Sequence, residues 1–382
     1  MTANGWAHIS LGEVISHRKE FVRINDEQEY SRCRVQLAAR GVVRRDRVIG
    51  FDIKTKEQQV CRAGEFLVAE IDAKLGGFGI VPGDLDGAIV SSHYFLFTIN
   101  STRINPQFLA YYIRTPEFQD QVQARGSTNY AAIRPHHVLE YTMPLPGREE
   151  QERIVSKLDT FAVKVEEVQD TREAVGLEAE AMLLSAFARI IAAAPLAKMD
   201  DVAPLVRRQV EIRMGEEYPE LGIRSFGKGT FHKPVLDFLS VGTKRLYRIE
   251  PGDLLFSNVF AWEGAIAVSQ QEDEGRFGSH RFITCVPKAG VATSEFLRFY
   301  FLTEEGLQKV GEASPGGAGR NRTLGLAKLA EIEVPVPDYD EQVWFNRLQG
   351  KVGEMLAAQQ DAKTELNAML PSILDKAFKG EL

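Results

Sequence analysis

The sequence predicts a mixed α/β (α+β) fold that is built twice. We expect two similar globular domains and two long helices that form an antiparallel intramolecular coiled coil, with pseudo-twofold duplication. Three observations predict this class. The chain repeats itself at a nearly constant offset, each copy mixes short β-rich runs with turn residues, and each copy ends in a heptad pattern of apolar residues. At 382 residues the chain is long for one domain.

The internal repeat is most evident at the junction before each long helix. "PLPGREEQERIVSKLD" begins at Pro144, and "PVPDYDEQVWFNRLQG" begins at Pro335, 191 residues later. Other blocks recur in the same order at offsets of 187 or 188, including "SSHYF" with "GSHRF", "FLAYY" with "FLRFY", and "AGEFLV" with "PGDLLF". The repeat is far longer than a solenoid unit, so it indicates a domain copied once.

Each copy begins with a mixed globule and ends with a helix. Runs such as "GAIVSSHYFLFTI" predict strands, and "NPQFLAYYIRTPEFQDQV" at 105–122 predicts one amphipathic helix. Asn105 is a suitable N-cap, and Pro106 suits the first helical position. The predicted segments are a first globular domain at 1–147, a first long helix at 148–193, a second globular domain at 194–338 and a second long helix at 339–382.

The two long helices each carry an apolar stripe at heptad spacing. A helix of about 35–45 residues is on the order of 50–65 Å long, which exceeds the width of a small domain. Each helix could lie on its own domain, but an exposed seam of that length favours pairing with the other copy. The stripe positions are Ile154, Leu158, Phe161, Val165, Val168 and Val175 in the first helix, and Phe345, Leu348, Val352, Met355, Ala362, Leu366, Met369 and Ile373 in the second.

The composition is that of an ordinary globular protein with a net charge of −7. The start "MTANGWAHIS" has neither a basic region nor an apolar core, so no export signal is expected. The most apolar stretch, 179–197, contains two charged residues and ends near a proline, which makes it a poor bilayer span. The three cysteines are far apart in the sequence. These features predict a cytoplasmic protein with reduced thiols.

Positive charge is concentrated in the globular domains, and negative charge in the helices. Residues 31–50 contain six arginines and one acidic residue, and residues 222–248 contain six basic residues and one acidic residue. Residues 148–180 contain ten acidic and five basic residues. A solvated face is one interpretation, but recurrence in both copies favours polyanion binding. The DNA-binding candidates in these segments are Arg32, Arg34, Arg40, Arg44, Arg45, Arg47, Arg224, Lys228, Lys233, Lys244 and Arg245.

A second candidate surface is the loop that precedes each proline junction. The loops read "ARGSTNYAAIRPHH" at 124–137 and "GEASPGGAGRNRTLG" at 311–325. Arginine pairs bidentately with guanine or holds phosphate, and asparagine pairs with adenine. The alternative is a mobile surface loop without a ligand. The candidates here are Arg125, Asn129, Tyr130, Arg134, Arg320, Asn321 and Arg322, of which Arg320 or Arg322 is predicted to read a base.

Catalytic motifs are incomplete. "NPQF" differs from the amine-binding D/N-P-P-Y/F loop of amino-methyltransferases at Gln107, and no Gly-rich turn suited to S-adenosylmethionine accompanies it. Asp72 and Lys74 offer half of a nuclease site, but their counterpart "SNVFA" lacks both charges. His93 and His280 recur without a second ligand, which favours structural histidines on strands. We therefore predict no catalytic residue, metal or cofactor in this chain.

The duplicated globule, the duplicated helix and the proline–glutamate–glutamine junction together resemble the specificity (S) subunit of type I restriction–modification systems. The resemblance is carried by "MPLPGREEQERIVSKLD" at 143–159, by "LPSILDKAFKGEL" at 370–382 and by the opening "GWAHISLGEVI". The second junction departs from this pattern, with "VWF" at 343–345 where the first has "ERI" at 152–154. That departure concerns the partner contacts of the second helix.

The resemblance implies that each globule is a target-recognition domain that reads one half of a split, asymmetric DNA sequence, and that the helices set the spacing. It also implies a non-catalytic subunit. Its partners would be two methyltransferase (M) subunits, which methylate adenine with S-adenosylmethionine, and, where a nuclease is present, two restriction (R) subunits that use ATP and Mg. Three alternatives remain open: a recognition subunit whose single partner holds both activities, an interaction scaffold that does not touch DNA, and a self-contained methyltransferase.

Overall fold

The computed structural model describes residues 5–124, 133–316 and 322–382. The chain divides into two compact units, Met1–Glu173 with Gln359–Leu382, and Ala174–Ala358. Both boundaries fall inside long helices, so each unit holds one sheet-rich domain and parts of both helices. The four functional segments expected from the sequence remain a prediction. None of the helices in these described residues has the length and hydropathy that a membrane span requires.

The first sheet-rich domain consists of short strands and three short helices. Its strands are β1 (Ala7–Ser10), β2 (Ile15–Arg18), β3 (Phe21–Arg23), β4 (Glu29–Gln36), β5 (Gly41–Ile49), β6 (Glu57–Val60), β7 (Phe66–Ala69), β8 (Phe78–Ile80), β9 (Ile89–Val90), β10 (Tyr94–Ile99) and β11 (Thr142–Leu145). Its helices are α1 (Pro106–Tyr112), α2 (Pro116–Ala124) and α3 (Pro135–Glu140). The strands form a pair, β1-β11, and two sheets in the orders β2-β10-β7-β8 and β3-β6-β9-β4-β5.

The first long helix, α4 (Arg148–Ile191), leads into the second domain, and the second long helix, α10 (Tyr339–Lys379), follows it. The strands between them are β12 (Leu196–Lys198), β13 (Leu205–Val206), β14 (Glu217–Ile223), β15 (Thr230–Asp237), β16 (Leu246–Arg248), β17 (Leu254–Ser257), β18 (Ile266–Val268), β19 (Phe277–Ser279), β20 (Phe282–Cys285) and β21 (Glu333–Pro335). The helices are α5 (Met199–Val202), α6 (Phe238–Val241), α7 (Ser294–Leu302), α8 (Glu304–Glu312) and α9 (Leu326–Ala330).

The second domain repeats the topology of the first. Its pair β12-β21 and its sheets β13-β20-β17-β18 and β15-β14-β19-β16 match the first domain strand for strand, apart from β3. In place of the β3–β6 pairing there is an isolated bridge between Gln209 and Tyr247. Both domains also contain one parallel contact in an otherwise antiparallel sheet, β4 with β9 and β14 with β19. The predicted duplicated mixed α/β fold is confirmed.

The helix predicted at 105–122 is correct at its start and wrong in its length. The Asn105 side chain accepts a hydrogen bond from the Gln107 backbone nitrogen at 2.9 Å, and proline occupies the first turn, as predicted. The segment nevertheless forms two helices, because Pro116 has no N–H to continue the backbone hydrogen-bond ladder. The Thr115 hydroxyl accepts a hydrogen bond from the Phe118 nitrogen at 3.3 Å, which starts the second helix.

The two long helices run antiparallel within each unit. In the first unit, Ile154 near the start of α4 shares one hydrophobic core with Leu374 and Phe378 near the end of α10. In the second unit, Phe187 near the end of α4 packs on Phe345 near the start of α10, with ring centroids 5.4 Å apart. The start of one helix therefore meets the end of the other in both units.

The heptad stripe is buried at the helix ends and more open in between, which corrects the expectation of a continuous seam. The buried positions pack against the sheet-rich domain of their own unit, so burial depends on the globule as well as on helix pairing. Ile154, Leu158 and Phe345 are 0% exposed and Val352 is 6% exposed, whereas Val168, Val175 and Met369 are 40%, 38% and 44% exposed.

Candidate nucleic-acid interface

The first basic segment forms the hairpin of β4 and β5, and β5 is the edge strand of its sheet. An edge strand leaves side chains and backbone groups open to solvent, and arginines there also discourage strand addition. A β-bulge in β5, opposite the step from Arg32 to Cys33, adds to the local twist. The exposed arginines of this hairpin are Arg34, Arg40, Arg44, Arg45 and Arg47.

Arg32 differs from these five because its charge is already paired. Its Nε and Nη2 atoms each donate to one carboxylate oxygen of Asp46 at 2.7 Å. This bidentate hydrogen bond lowers the pKa of the Asp46 carboxyl. Arg32 therefore stabilises the hairpin across its two strands, and it is the member of the segment least available to an external anion.

The exposed arginines of the first hairpin have weak partners or none in the described part of the chain. Arg44 donates from Nε to Ser31 Oγ at 3.2 Å and from Nη2 to the Asp84 carbonyl at 3.1 Å, and it lies 3.4 Å from Asp84 Oδ2. Arg45 Nε lies 3.6 Å from Asp46 Oδ2. Exposed ion pairs of this kind contribute little stability, so a phosphate can replace the carboxylate. The side chains without a hydrogen bond or ion pair to any described residue are Arg34, Arg40 and Arg47.

A cavity of about 360 Å³ adjoins the first hairpin in the same unit. Its charged lining consists of Arg32, Arg34, Arg45 and Lys54, with Asp52 as the acidic member. Because Arg32 is paired with Asp46, the cations that remain against Asp52 are Arg34, Arg45 and Lys54. Three cations against one carboxylate give a positive potential in a concave site, which attracts phosphate. Lys54 was not among the residues predicted from the sequence, because it lies outside the arginine-rich stretch.

The second basic segment forms the corresponding hairpin, β14 with β15, and continues through α6 into β16. Arg224 lies 5.0 Å from the centroid of the Phe231 ring, and Lys244 Nζ lies 3.6 Å from Glu220 Oε2. The predicted residues Arg224, Lys228, Lys244 and Arg245 are exposed, and Lys233 is half-buried. The structure therefore places Arg224, Lys228 and Lys233 on the hairpin that corresponds to β4–β5, whereas Lys244 and Arg245 lie between α6 and β16.

The loop candidates are only partly within the described residues. Arg134 Nη1 donates to Glu70 Oε1 at 2.6 Å, so its charge is engaged within the unit. Arg322 is exposed, and its guanidinium lies 5.3 Å from the centroid of the Trp262 ring. The predicted residues Arg125, Asn129, Tyr130, Arg320 and Asn321 lie outside the described residues.

Sequence reasoning missed how the two hairpin tips are held. Ala38 N donates to Leu75 O at 2.7 Å, and Phe226 N donates to Glu263 O at 2.9 Å. Ala38 and Phe226 have φ values of 57° and 60°, a left-handed conformation that favours glycine. Neither alanine nor phenylalanine indicates a left-handed backbone, so sequence reasoning could not predict it. The same donor and acceptor positions recur in both units at an offset of 188.

The histidine prediction needs correction in detail. His93 lies in the turn before β10 rather than on a strand, and its Nδ1 is 2.8 Å from Glu70 Oε2. The described cysteines are free and buried, yet the Sγ atoms of Cys33 and Cys61 are only 3.5 Å apart. Within the described ranges, no cluster of three or more His, Cys, Asp or Glu residues is arranged to hold a metal ion.

The repeated junction motif has a structural explanation in its glutamine. Gln151 is 1% exposed; its Nε2 donates to the Pro146 carbonyl at 2.9 Å, and its Oε1 accepts from the Asn105 nitrogen at 2.8 Å. Gln342 is 0% exposed and makes the same two contacts, with the Pro337 carbonyl at 2.9 Å and with the N-cap nitrogen of α7 at 3.1 Å. This glutamine therefore joins the start of each long helix to the start of a domain helix.

Comparison with known proteins agrees with this architecture. Residues 4–175 match the family described as type I restriction modification DNA specificity domain. The chain is similar to the HsdS subunit from Thermoanaerobacter tengcongensis, with 22% identity and a TM-score of 0.61 over 100% of this chain and 98% of that chain. It is also similar to a chain solved for "complex assembly and conformational transition of the type I R-M system", with 23% identity and a TM-score of 0.71 over 100% of both chains.

No curated protein sequence matches the chain. The two structural similarities are below 25% identity, so they establish the fold, and the match at 4–175 establishes the domain type. The resemblance inferred from the junction motif and the duplication is thereby confirmed. Residues 4–175 therefore form a type I restriction modification DNA specificity domain, and the chain as a whole has the fold of an HsdS subunit.

Proposed function

We propose that this protein is the DNA-recognition subunit of a type I restriction–modification complex and that each unit reads one half of a bipartite target. The main support is the recurrence of a basic segment that includes the equivalent hairpin in both units, β4–β5 in the first and β14–β15 in the second. Each hairpin belongs to a segment with six basic residues and one acidic residue, whereas the net charge of the whole chain is −7. Such local concentration of positive charge suits phosphate binding.

The target is asymmetric in this proposal, because the equivalent positions of the two hairpins carry different side chains. Ala38 corresponds to Phe226, and Arg47 corresponds to Val235, at an offset of 188 in both cases. Base edges are distinguished by the hydrogen-bonding and apolar groups presented to them. Two surfaces that share a backbone but differ in side chains therefore read different half-sequences.

Partner recruitment is assigned to the long helices and the adjoining domain surface. In the second unit, a groove of about 890 Å³ is lined by Leu184 and Leu356 from the two helices and by Phe299 from α7. The apolar side chains of α4 that are exposed in this unit are Val175, Leu177, Met182 and Leu184. An exposed apolar surface of this kind suits a protein partner.

In this proposal the partners are two methyltransferase subunits, which carry S-adenosylmethionine, and, where present, two restriction subunits, which use ATP and Mg. The chain itself contributes recognition rather than chemistry, and it acts in the cytoplasm.

The double variant Arg44→Ala/Arg45→Ala tests the placement of the DNA surface. We expect the full-length variant to bind target DNA more weakly. The slope of log affinity against log salt concentration should also become less steep by up to about two units, because each lost phosphate contact releases about 0.9 fewer counterions. The target sequence is obtained by genome-wide methylation mapping of the host with and without the gene. Fluorescence anisotropy at several salt concentrations gives the slope.

The matched control is Lys157→Ala/Lys164→Ala, which removes two exposed charges from the acidic helix α4. The control is expected to keep the slope of the unchanged protein. Equal slopes for the Arg44/Arg45 variant and the unchanged protein would show that the first hairpin does not contact phosphates.

A further inference from the structure

The tip of the β14–β15 hairpin presents an aromatic ring to solvent. Phe226 is 73% exposed, and its φ is 60°. A left-handed backbone is unfavourable for a bulky residue and persists only where surrounding contacts impose it. A phenyl ring that is 73% exposed adds little to the core of its own unit and is open to a partner.

The backbone of this tip is held by three hydrogen bonds. Phe226 N donates to Glu263 O at 2.9 Å, and Gly227 N donates to Gly264 O at 2.8 Å. The half-buried guanidinium of Arg298 donates from Nη2 to Gly227 O at 2.6 Å. A residue that is anchored on both its own nitrogen and the next residue loses little conformational entropy when its side chain binds a partner.

The exposed ring has a lysine beside it, and the turn that anchors the tip adds one carboxylate, because Ser225 Oγ donates to Glu263 Oε2 at 3.3 Å. Lys228 Nζ lies 5.9 Å from the centroid of the Phe226 ring. The short helical turn that anchors the tip also contains Trp262, whose ring lies 5.3 Å from the Arg322 guanidinium. Aromatic rings interleaved with cations are the combination that binds nucleobases and their phosphates together.

The first unit shows that the hairpin tip does not need the ring in order to fold. Ala38 occupies the equivalent position with a φ of 57° and makes the equivalent hydrogen bond, from its nitrogen to Leu75 O at 2.7 Å. No aromatic residue occurs in the tip of that hairpin, which reads "LAAR" at 37–40. The phenyl group is therefore a feature of the second unit alone, added to a backbone that both units share.

We propose that Phe226 is an aromatic wedge that stacks against, and partly unstacks, one base step in the half-target read by the second unit. This inference rests on the proposed DNA-recognition function and extends it to a named residue and a mode of contact. Rigid apolar side chains that enter a base step open the duplex and create sequence preference through the ease of unstacking. The neighbouring cations neutralise the phosphates on either side of the opened step.

The test compares Phe226→Ala with the unchanged full-length chain on duplexes that carry the mapped target. Alanine suits this position because Ala38 already adopts the same backbone. We expect affinity for the target to fall by about 10- to 100-fold, which is the loss typical of one base–aromatic contact, with an unchanged salt slope because no charge is removed. A 2-aminopurine placed at each step of the second half-target is expected to change fluorescence on binding at one step, and this change disappears in the variant.

Two further variants distinguish the loss of a wedge from a general loss of DNA affinity. Phe226→Trp is expected to restore affinity, and Phe51→Ala, which removes a 75% exposed phenylalanine from the first unit, is expected to leave affinity unchanged. Suppose that the unchanged chain binds DNA with the expected salt dependence. If Phe226→Ala then has the same affinity and the same 2-aminopurine fluorescence, the wedge is overturned and the recognition function stands. Failure of the unchanged chain to bind DNA, alone or with its methyltransferase partner, would overturn both.

Discussion

Replacing Phe378 with alanine is expected to destabilise the first unit by about 3–5 kcal/mol, as for other buried phenylalanines. The residue is the fifth from the end of the chain, yet it is only 3% exposed. Its ring lies 4.9 Å from that of Phe108 and 5.2 Å from that of Tyr112, measured between centroids. The last turns of α10 therefore complete a core whose other members come from the first half of the sequence.

Hydrogen–deuterium exchange locates this effect, because a chain with two units need not unfold in one step. Faster exchange is expected in β7, β10 and α1 of the first unit, with no change in β17 and β20 of the second. The control Met369→Ala shortens a 44% exposed side chain on the same helix and is expected to change stability by less than about 0.5 kcal/mol. If the backbone amides of Phe378→Ala exchange at the same rates as those of the control, the end of α10 does not belong to the hydrophobic core of the first unit.

Sequence reasoning predicted the parts of the fold that depend on local or repeated patterns of residues. The Asn105 cap and the heptad stripe depend on residues a few positions apart, and the duplication is visible because "SH" and "FL" blocks recur at one offset. The parts it missed depend on contacts between distant residues. The burial of Phe378 against Phe108 is one example, and the approach of Cys33 to Cys61 across two strands is another.

The candidate site shows the same division. Charge counting found both basic segments, because six cations within a short segment are a local signal. It could not distinguish Arg32, whose charge is paired with Asp46, from Arg47, which has no ionic partner among the described residues. It also could not find the left-handed tip at Phe226, since the bonds that impose this backbone come from a turn 37 residues later.

Replacing the junction glutamine with alanine is expected to destabilise its own unit by about 2–4 kcal/mol, since buried groups left without hydrogen bonds cost about 1–3 kcal/mol each. Gln151→Ala removes the acceptor of the Asn105 nitrogen and the donor to the Pro146 carbonyl, and Gln342→Ala does the same in the second unit. Because each glutamine lies inside one unit, Gln151→Ala should affect only the first unit and Gln342→Ala only the second.

Urea denaturation with exchange mapping separates these two results. Two exposed glutamates of the same motif provide the controls, because Glu149→Ala and Glu341→Ala change the motif without removing a buried hydrogen bond. These controls are expected to lose less than about 0.5 kcal/mol. Should the glutamine and glutamate variants prove equally stable, the repetition of the motif would need a cause other than the link between the long helix and the domain helix. The second junction has "VWF" at 343–345 where the first has "ERI". A loss of stability in Gln342→Ala but not in its glutamate control would show that this junction still links the long helix to α7 through Gln342.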